Sequence, residues 1–258
     1  MKRNWLSYMC MAALLSGALT SCNESSFLNL SDPNHFTESN FWKDKADAES
    51  ALAAAYSPIK GAMYGYFGAF DGWLNLNGRG DDIFTIKGEE VPMWNIANFL
   101  NSPSTGNDPY GALYSGIQRA NIVLRYIDQV PASGITEEDR SMIKGEALFL
   151  RGYQYFLLVN NYKEVPLRLI PSNEDETNKG PASEAALWTQ VEEDLGNAIK
   201  CNLPVERTTA KERVTKGAAI AMLGKVYATQ HRYPEAKQLL GTLLKAPYSC
   251  LLYTSDAA

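Results

Sequence analysis

Ile220-Ala221-Met222-Leu223-Gly224-Lys225-Val226-Tyr227, followed by Pro234-Glu235-Ala236-Lys237-Gln238-Leu239-Leu240, is the stretch that decides the fold. Its apolar residues recur every three to four positions, the period of one helix face. The pattern predicts a helical hairpin, with one helix over 211–230 and a second over 234–245. Gly224 and Ala236 are small where two antiparallel helices would cross. Tyr227 is large and would fill the gap beside them.

Ile220, Leu223, Gly224, Tyr227, Ala236 and Leu240 have the offsets of a tetratricopeptide unit, whose period is about 34 residues. A packed hairpin of another kind shares some of these residues. Upstream, Leu148, Gly152 and Tyr155 repeat part of the pattern in a helix whose face runs Ile143, Ala147, Leu150, Leu158. Its partner would be the helix over 183–201, with Leu187, Trp188, Val191, Leu195 and Ala198 inward, displaced by a polar loop over 172–181. Thr136-Glu137-Glu138-Asp139 reads as a capped, acidic helix start. Two further helices are expected: one from Asp44 or Asp47 past Pro58 to about Met63, and one from Tyr110 to Ile127. The fold class is therefore all-α, with tetratricopeptide-like helical hairpins.

Between Tyr64 and Tyr110 no period holds, and Gly, Asn, Asp and aromatic residues dominate. A long irregular, aromatic-rich loop in a helical domain points to a functional segment. Trp73 and Trp94 offer flat faces for stacking on sugar C–H surfaces, and Asn77, Arg79 and Asp81 supply hydrogen bonds for hydroxyls. The plainer reading is that these aromatics pack the loop onto the helices. Asp81-Asp82 and Glu89-Glu90 lack calcium-loop spacing, and carboxylate pairs in an acidic chain say little about glycosidase chemistry. Trp42, Trp188 and Tyr155 read as core, and Glu146 and Arg151 as internal ion-pair or capping residues.

The chain opens with Lys2-Arg3, an apolar run from Trp5 to Leu19, and then Leu19-Thr20-Ser21-Cys22. A basic start, a short apolar run and small residues make a secretory signal. A cysteine directly after them makes it a lipoprotein signal, with Cys22 acylated and stably anchored by more than one chain. Beyond it, no apolar run is long enough to span a bilayer. The net charge of -5 argues against a nucleic-acid partner. Cys201 and Cys250 make no disulfide framework, and His35 and His231 lie too far apart to suggest a metal site or a triad. No cofactor and no metal are expected.

Several segments together resemble the SusD/RagB lipoproteins of Bacteroidota outer membranes. They are Phe27-Leu28 with Pro33, Phe41-Trp42, Ala51-Leu52 and Ala55-Tyr56, Asp81-Asp82, Tyr114 with Ile117 and Ala120-Asn121, and Gly145-Glu146-Ala147-Leu148-Phe149-Leu150-Arg151. Tyr155-Phe156, Val165-Pro166-Leu167, Asp194-Leu195, Leu203-Pro204 and Val214-Thr215-Lys216-Gly217-Ala218-Ala219 continue the series in order. Gly152, where that family often has alanine, is a mild departure. The resemblance implies a non-catalytic surface lipoprotein of the outer membrane. It implies that the protein captures oligosaccharides and caps a SusC-type TonB-dependent transporter. A tetratricopeptide scaffold without glycan binding and a surface glycoside hydrolase are the rival readings. The expected division is a signal peptide over 1–21, a tether over 22–26, an incomplete SusD-like N-terminal helical domain over 27–248, and a non-native tail over 249–258 that resembles translated adapter sequence.

Overall fold

Six α-helices are described: α1 Lys45–Tyr64, α2 Tyr110–Tyr126, α3 Glu137–Tyr162, α4 Glu184–Lys200, α5 Lys216–Thr229 and α6 Tyr233–Leu240. The 3₁₀ segments Ile127–Gln129 and Gly241–Leu244 follow α2 and α6. The computed structural model describes residues 41–64 (backbone alone at 60–64), 80, 94–95, 97–100, 110–175, 177–245, 247 and 248. The chain divides into two units, Met1–Phe41 and Trp42–Ala258, and all six helices lie in the second. Among the described residues the β structure is limited to an isolated antiparallel bridge between Val165 and Ala182. None of their helices is long and apolar enough to cross a membrane. The all-α expectation holds.

The helix starts follow from local chemistry. The first turn of a helix leaves backbone N–H groups unpaired, and a short oxygen-bearing side chain takes one of them. Thr136 accepts from the Asp139 N–H at 3.1 Å, Ser183 from Ala186 at 3.3 Å and Thr215 from Ala218 at 3.2 Å. Glu137, Glu138 and Asp139 add the negative charge that the N-terminus of α3 favours. Pro58 lies inside α1 and removes the donor that would have served the Ala54 carbonyl. Arg119 of α2 donates to that carbonyl instead, at 2.8 Å. This is why α1 runs through its proline, as the sequence pattern suggests.

The helices pack in sequence order, each on the next, and α3 also touches α1. The core joins Leu113 and Ile117 of α2, Tyr155 and Leu158 of α3, Leu187, Val191 and Leu195 of α4, and Leu223 and Val226 of α5. Each such side chain contributes roughly 1.5–3 kcal/mol on burial. Glycines set the closest approaches. A Cβ at Gly152 would lie 3.1 Å from Asp194 Cβ, and one at Gly145 would lie 2.7 Å from Cys201 Cβ, so α3 and α4 run antiparallel and close. A Cβ at Gly224 would overlap Leu240, which confirms the crossing expected in the last hairpin.

Two expectations need correction. The first helix of that hairpin starts at Lys216, not Lys211, because residues 211–215 are held in a turn by side-chain bonds to α3 described below. Trp42 and Tyr155 are buried as expected, but Trp188 is only half-buried.

Candidate functional site

Trp94 is the one predicted site residue among the described residues; Cys22, Trp73, Asn77, Arg79 and Asp81 lie outside them. Trp94, Asn95 and Ala97 are helical and Asn98 and Phe99 turn the chain. The Asn98 backbone N–H and side-chain amide both donate to the Trp94 carbonyl, at 3.0 and 2.7 Å. Leu100 N–H donates to the Asn95 carbonyl at 2.8 Å. Phe99 has φ 57°, a left-handed conformation uncommon outside glycine, and is 67% exposed. This tight knuckle leaves Trp94 half-buried, and it displays an aromatic ring at its tip.

The helical scaffold is tied together by two buried polar networks. In the first, Arg151 of α3 forms a two-pronged pair with Asp194 of α4, at 2.8 and 2.7 Å. Arg151 also donates to the Asn121 side-chain oxygen at 3.0 Å and to the Leu169 carbonyl at 3.3 Å. Asn121 in turn donates to the carbonyls of Arg168 and Ile170. Tyr155 donates to the Arg168 carbonyl and accepts from its N–H, and Tyr114 donates to the Pro166 carbonyl. Among the described residues the extended segment 165–171 has no neighbouring strand beyond its bridge to Ala182, and these side chains supply partners for its backbone. Burial, offset in part by the bond that the Arg168 N–H donates to its oxygen, pushes the Tyr155 phenol well above the ordinary tyrosine range.

The second network centres on Glu146, which is fully buried. It accepts from Tyr56 Oη at 2.5 Å, from Arg207 at 2.7 Å, and from Arg213 through two nitrogens at 2.9 Å. Tyr56 Oη also accepts from the Val214 N–H at 3.0 Å, and Arg207 donates to the Val214 carbonyl at 3.0 Å. One carboxylate thus ties α1, α3 and the connection before α5 together. Burial first, and the Glu146 charge second, push the Tyr56 phenol far up. Glu146 and Arg151 are internal ion-pair residues as expected, though each pairs elsewhere rather than with the other.

A groove of about 890 Å³ lies between α4 and the C-terminal end of α5. Trp188 and Tyr227 line it with Glu184, Thr189, Glu192 and Arg232. Trp188 backs edge-on against the buried Phe156, with ring centroids 6.0 Å apart, and donates its indole N–H to Glu184 at 3.2 Å. Arg232 lies 4.4 Å from the Tyr227 ring centroid and grips both Glu192 oxygens at 2.8 Å. The Gln230 amide donates to the same carboxylate at 2.9 Å. Reading Trp188 as core missed this groove. The Glu184/Trp188 spacing of four was legible, but the Glu192–Arg232 pair closes over forty positions and was not. Among the described residues no cluster of His, Cys, Asp and Glu is placed to hold a metal ion.

The profile of a SusD-like family, described as starch-binding and associating with the outer membrane, matches residues 82–228. The chain belongs to the SusD-like family. That stretch carries the Trp94 knuckle, the Arg151–Asp194 network, the Glu146 network apart from Tyr56, and helices α2 to α4 with most of α5. A SusD-like protein of Formosa agariphila is 25% identical over 235 residues, covering 88% of this chain and 43% of the relative. The crystal structure of a SusD superfamily protein from Bacteroides vulgatus superposes with a TM-score of 0.70 and 30% identity, over 81% of this chain and 45% of that one. A laminarin-binding SusD-like protein does so with a TM-score of 0.70 and 30% identity, over 80% of this chain and 44% of that one. The SusD-like chain therefore spans less than half the length of these relatives.

Proposed function

We propose that this SusD-like protein is a non-catalytic surface lipoprotein that captures oligosaccharides and caps a SusC-type TonB-dependent transporter. The observation that carries the reading is the family match over 82–228, whose description joins starch binding to the outer membrane. The laminarin-binding relative supports a glucan as the ligand class. Trp94 and Trp73 supply stacking faces in this reading, and Asn77, Arg79 and Asp81 bind hydroxyls. Cys22 carries the lipid after the signal over 1–21 is removed, and residues 22–26 form the tether that keeps the domain beside the transporter.

Aromatic stacking on a rigid helical frame suits a binder, because the frame loses little freedom when the ligand docks. The test is a titration of the chain with laminari- and malto-oligosaccharides, alongside Trp94→Ala and Trp73→Ala. Either substitution is expected to weaken binding roughly tenfold, the equivalent of one stacked ring. Unchanged affinity in both variants refutes the site assignment. Release of new reducing ends from the glycans refutes the non-catalytic reading.

A further inference from the structure

We propose that the groove between α4 and the end of α5 is a second saccharide subsite, separate from the aromatic loop. This rests on the glycan-binding reading above, and adds to it a place and a chemistry. The groove combines the two elements that sugar recognition needs. Trp188 is half-buried, held from behind by Phe156 and oriented through its indole N–H by Glu184, so its position is fixed before any ligand arrives. Glu192 is equally fixed, between the Arg232 guanidinium and the Gln230 amide. A carboxylate, a guanidinium and an amide held side by side offer both acceptors and donors to hydroxyls.

The charge pattern selects the class of ligand. Glu184 pairs with Lys163 at 2.9 Å, and Glu192 pairs with Arg232 at 2.8 Å. Arg232 is shared between Glu192 and Glu235, the second at 3.0 Å, and Glu193 is an exposed carboxylate at the rim, so the groove carries an excess of negative charge. A groove with this excess of carboxylate repels anionic ligands. It still offers hydrogen bonds and one aromatic face, which suit a neutral polyol. The groove is shallow, so only a few sugar rings of a longer chain would rest in it. The expected role is a weak second hold on a polymer whose main hold is the aromatic loop, raising overall affinity through effective concentration.

The test compares four forms of the chain: unmodified, Trp188→Ala, Thr189→Arg and Trp94→Ala. Thr189 is exposed on the groove wall, so arginine there fills the groove without disturbing the core. Each is titrated with laminarin and with short laminari-oligosaccharides, and circular dichroism confirms folding. Trp188→Ala and Thr189→Arg are each expected to weaken binding of the polymer about five- to tenfold, and of the short oligosaccharides by less than twofold. Polymer affinity unchanged in Thr189→Arg overturns the proposal, even if Trp188→Ala fails to fold. If Trp94→Ala abolishes binding while both groove variants match the unmodified chain, the loop reading stands and the groove reading falls. If both groove variants weaken polymer binding as expected and Trp94→Ala does not, the groove reading stands and the loop assignment falls.

Discussion

Replacing Glu146 tests whether one buried carboxylate fixes the connection between α4 and α5. Its side chain is 0% exposed, and its partners Arg207 and Arg213 are 8% and 19% exposed. Removing one partner of a buried ion pair typically costs about 3–5 kcal/mol, because the remaining charge keeps its desolvation penalty. Two features place this site at the low end. Arg207 keeps its bond to the Val214 carbonyl, and Arg213 keeps a 3.5 Å contact to Glu49 and partial access to water. Glu146→Ala is therefore expected to cost about 3 kcal/mol. Glu146→Gln retains the volume and one acceptor and trades charge-assisted bonds for neutral ones, at about 2 kcal/mol. Urea unfolding read by circular dichroism gives both values, provided the slope stays constant and only the midpoint moves. A second readout locates the effect: trypsin should cut after Lys211 faster in Glu146→Gln, because the turn over 211–215 loses its tether. A loss below about 0.5 kcal/mol with unchanged cleavage would show that the cluster holds nothing. Replacing Glu146, Arg207 and Arg213 together by methionine should recover only part of the loss: no unpaired charge is then left inside, but the Val214 carbonyl loses its Arg207 donor.

Three further outcomes follow from single contacts. Gly116→Ala would drive a Cβ into the Gln154 side-chain amide, so it should cost about 1–3 kcal/mol, and Gln154→Ala in the same chain should restore part of that loss in a double-mutant cycle. His231 follows the C-cap of α5 with φ 59°, its N–H on the Ala228 carbonyl and the Arg232 N–H on Tyr227; His231→Gly should raise the thermal midpoint by relieving about 0.5–1 kcal/mol of left-handed strain, less what the His231–Tyr233 bond contributes. Tyr56, Tyr114 and Tyr155 have phenols raised mainly by burial, so the folded state holds their protons more tightly than the unfolded chain; stability is complete below about pH 10 and falls as pH rises beyond it, and urea midpoints should drop more steeply between pH 10 and 11 than in a Tyr155→Phe variant.

What was legible in the sequence was what a few neighbouring residues decide. Thr136 and Ser183 take backbone N–H groups three residues on, so the starts of α3 and α4 depend on local chemistry. The small residue at Gly224 and the large one at Tyr227 state a helix crossing in their spacing. The start of α5 was misplaced because the turn over 211–215 answers to Glu146, which lies 67 positions before Arg213. Nothing near Arg213 records that partner. The clue was at the other end: a glutamate in the middle of an apolar helix face must be paired somewhere. Trp188 shows a different limit. Its heptad-like position says that one side is buried, which is true, but not that the other side lines a groove formed with a residue of another hairpin.

The two buried networks stand against the usual economics of a helical domain, and their placement gives a reason. An apolar replacement of comparable volume is often as stable as a buried ion pair or better, so stability alone does not explain them. Both act where the backbone is not helical. The Arg151–Asp194 network serves the extended segment 165–171, and the Glu146 cluster serves the connection before α5. Helices lock themselves together through ridges and close glycines, whereas irregular segments have carbonyls and N–H groups that must be met individually. Apolar packing cannot meet them, but a guanidinium or a tyrosine hydroxyl can. The networks therefore hold these two non-helical segments to the helices around them. In the proposed glycan-binding role that fixity would help, because motion in the frame would be lost on binding and would weaken the hold.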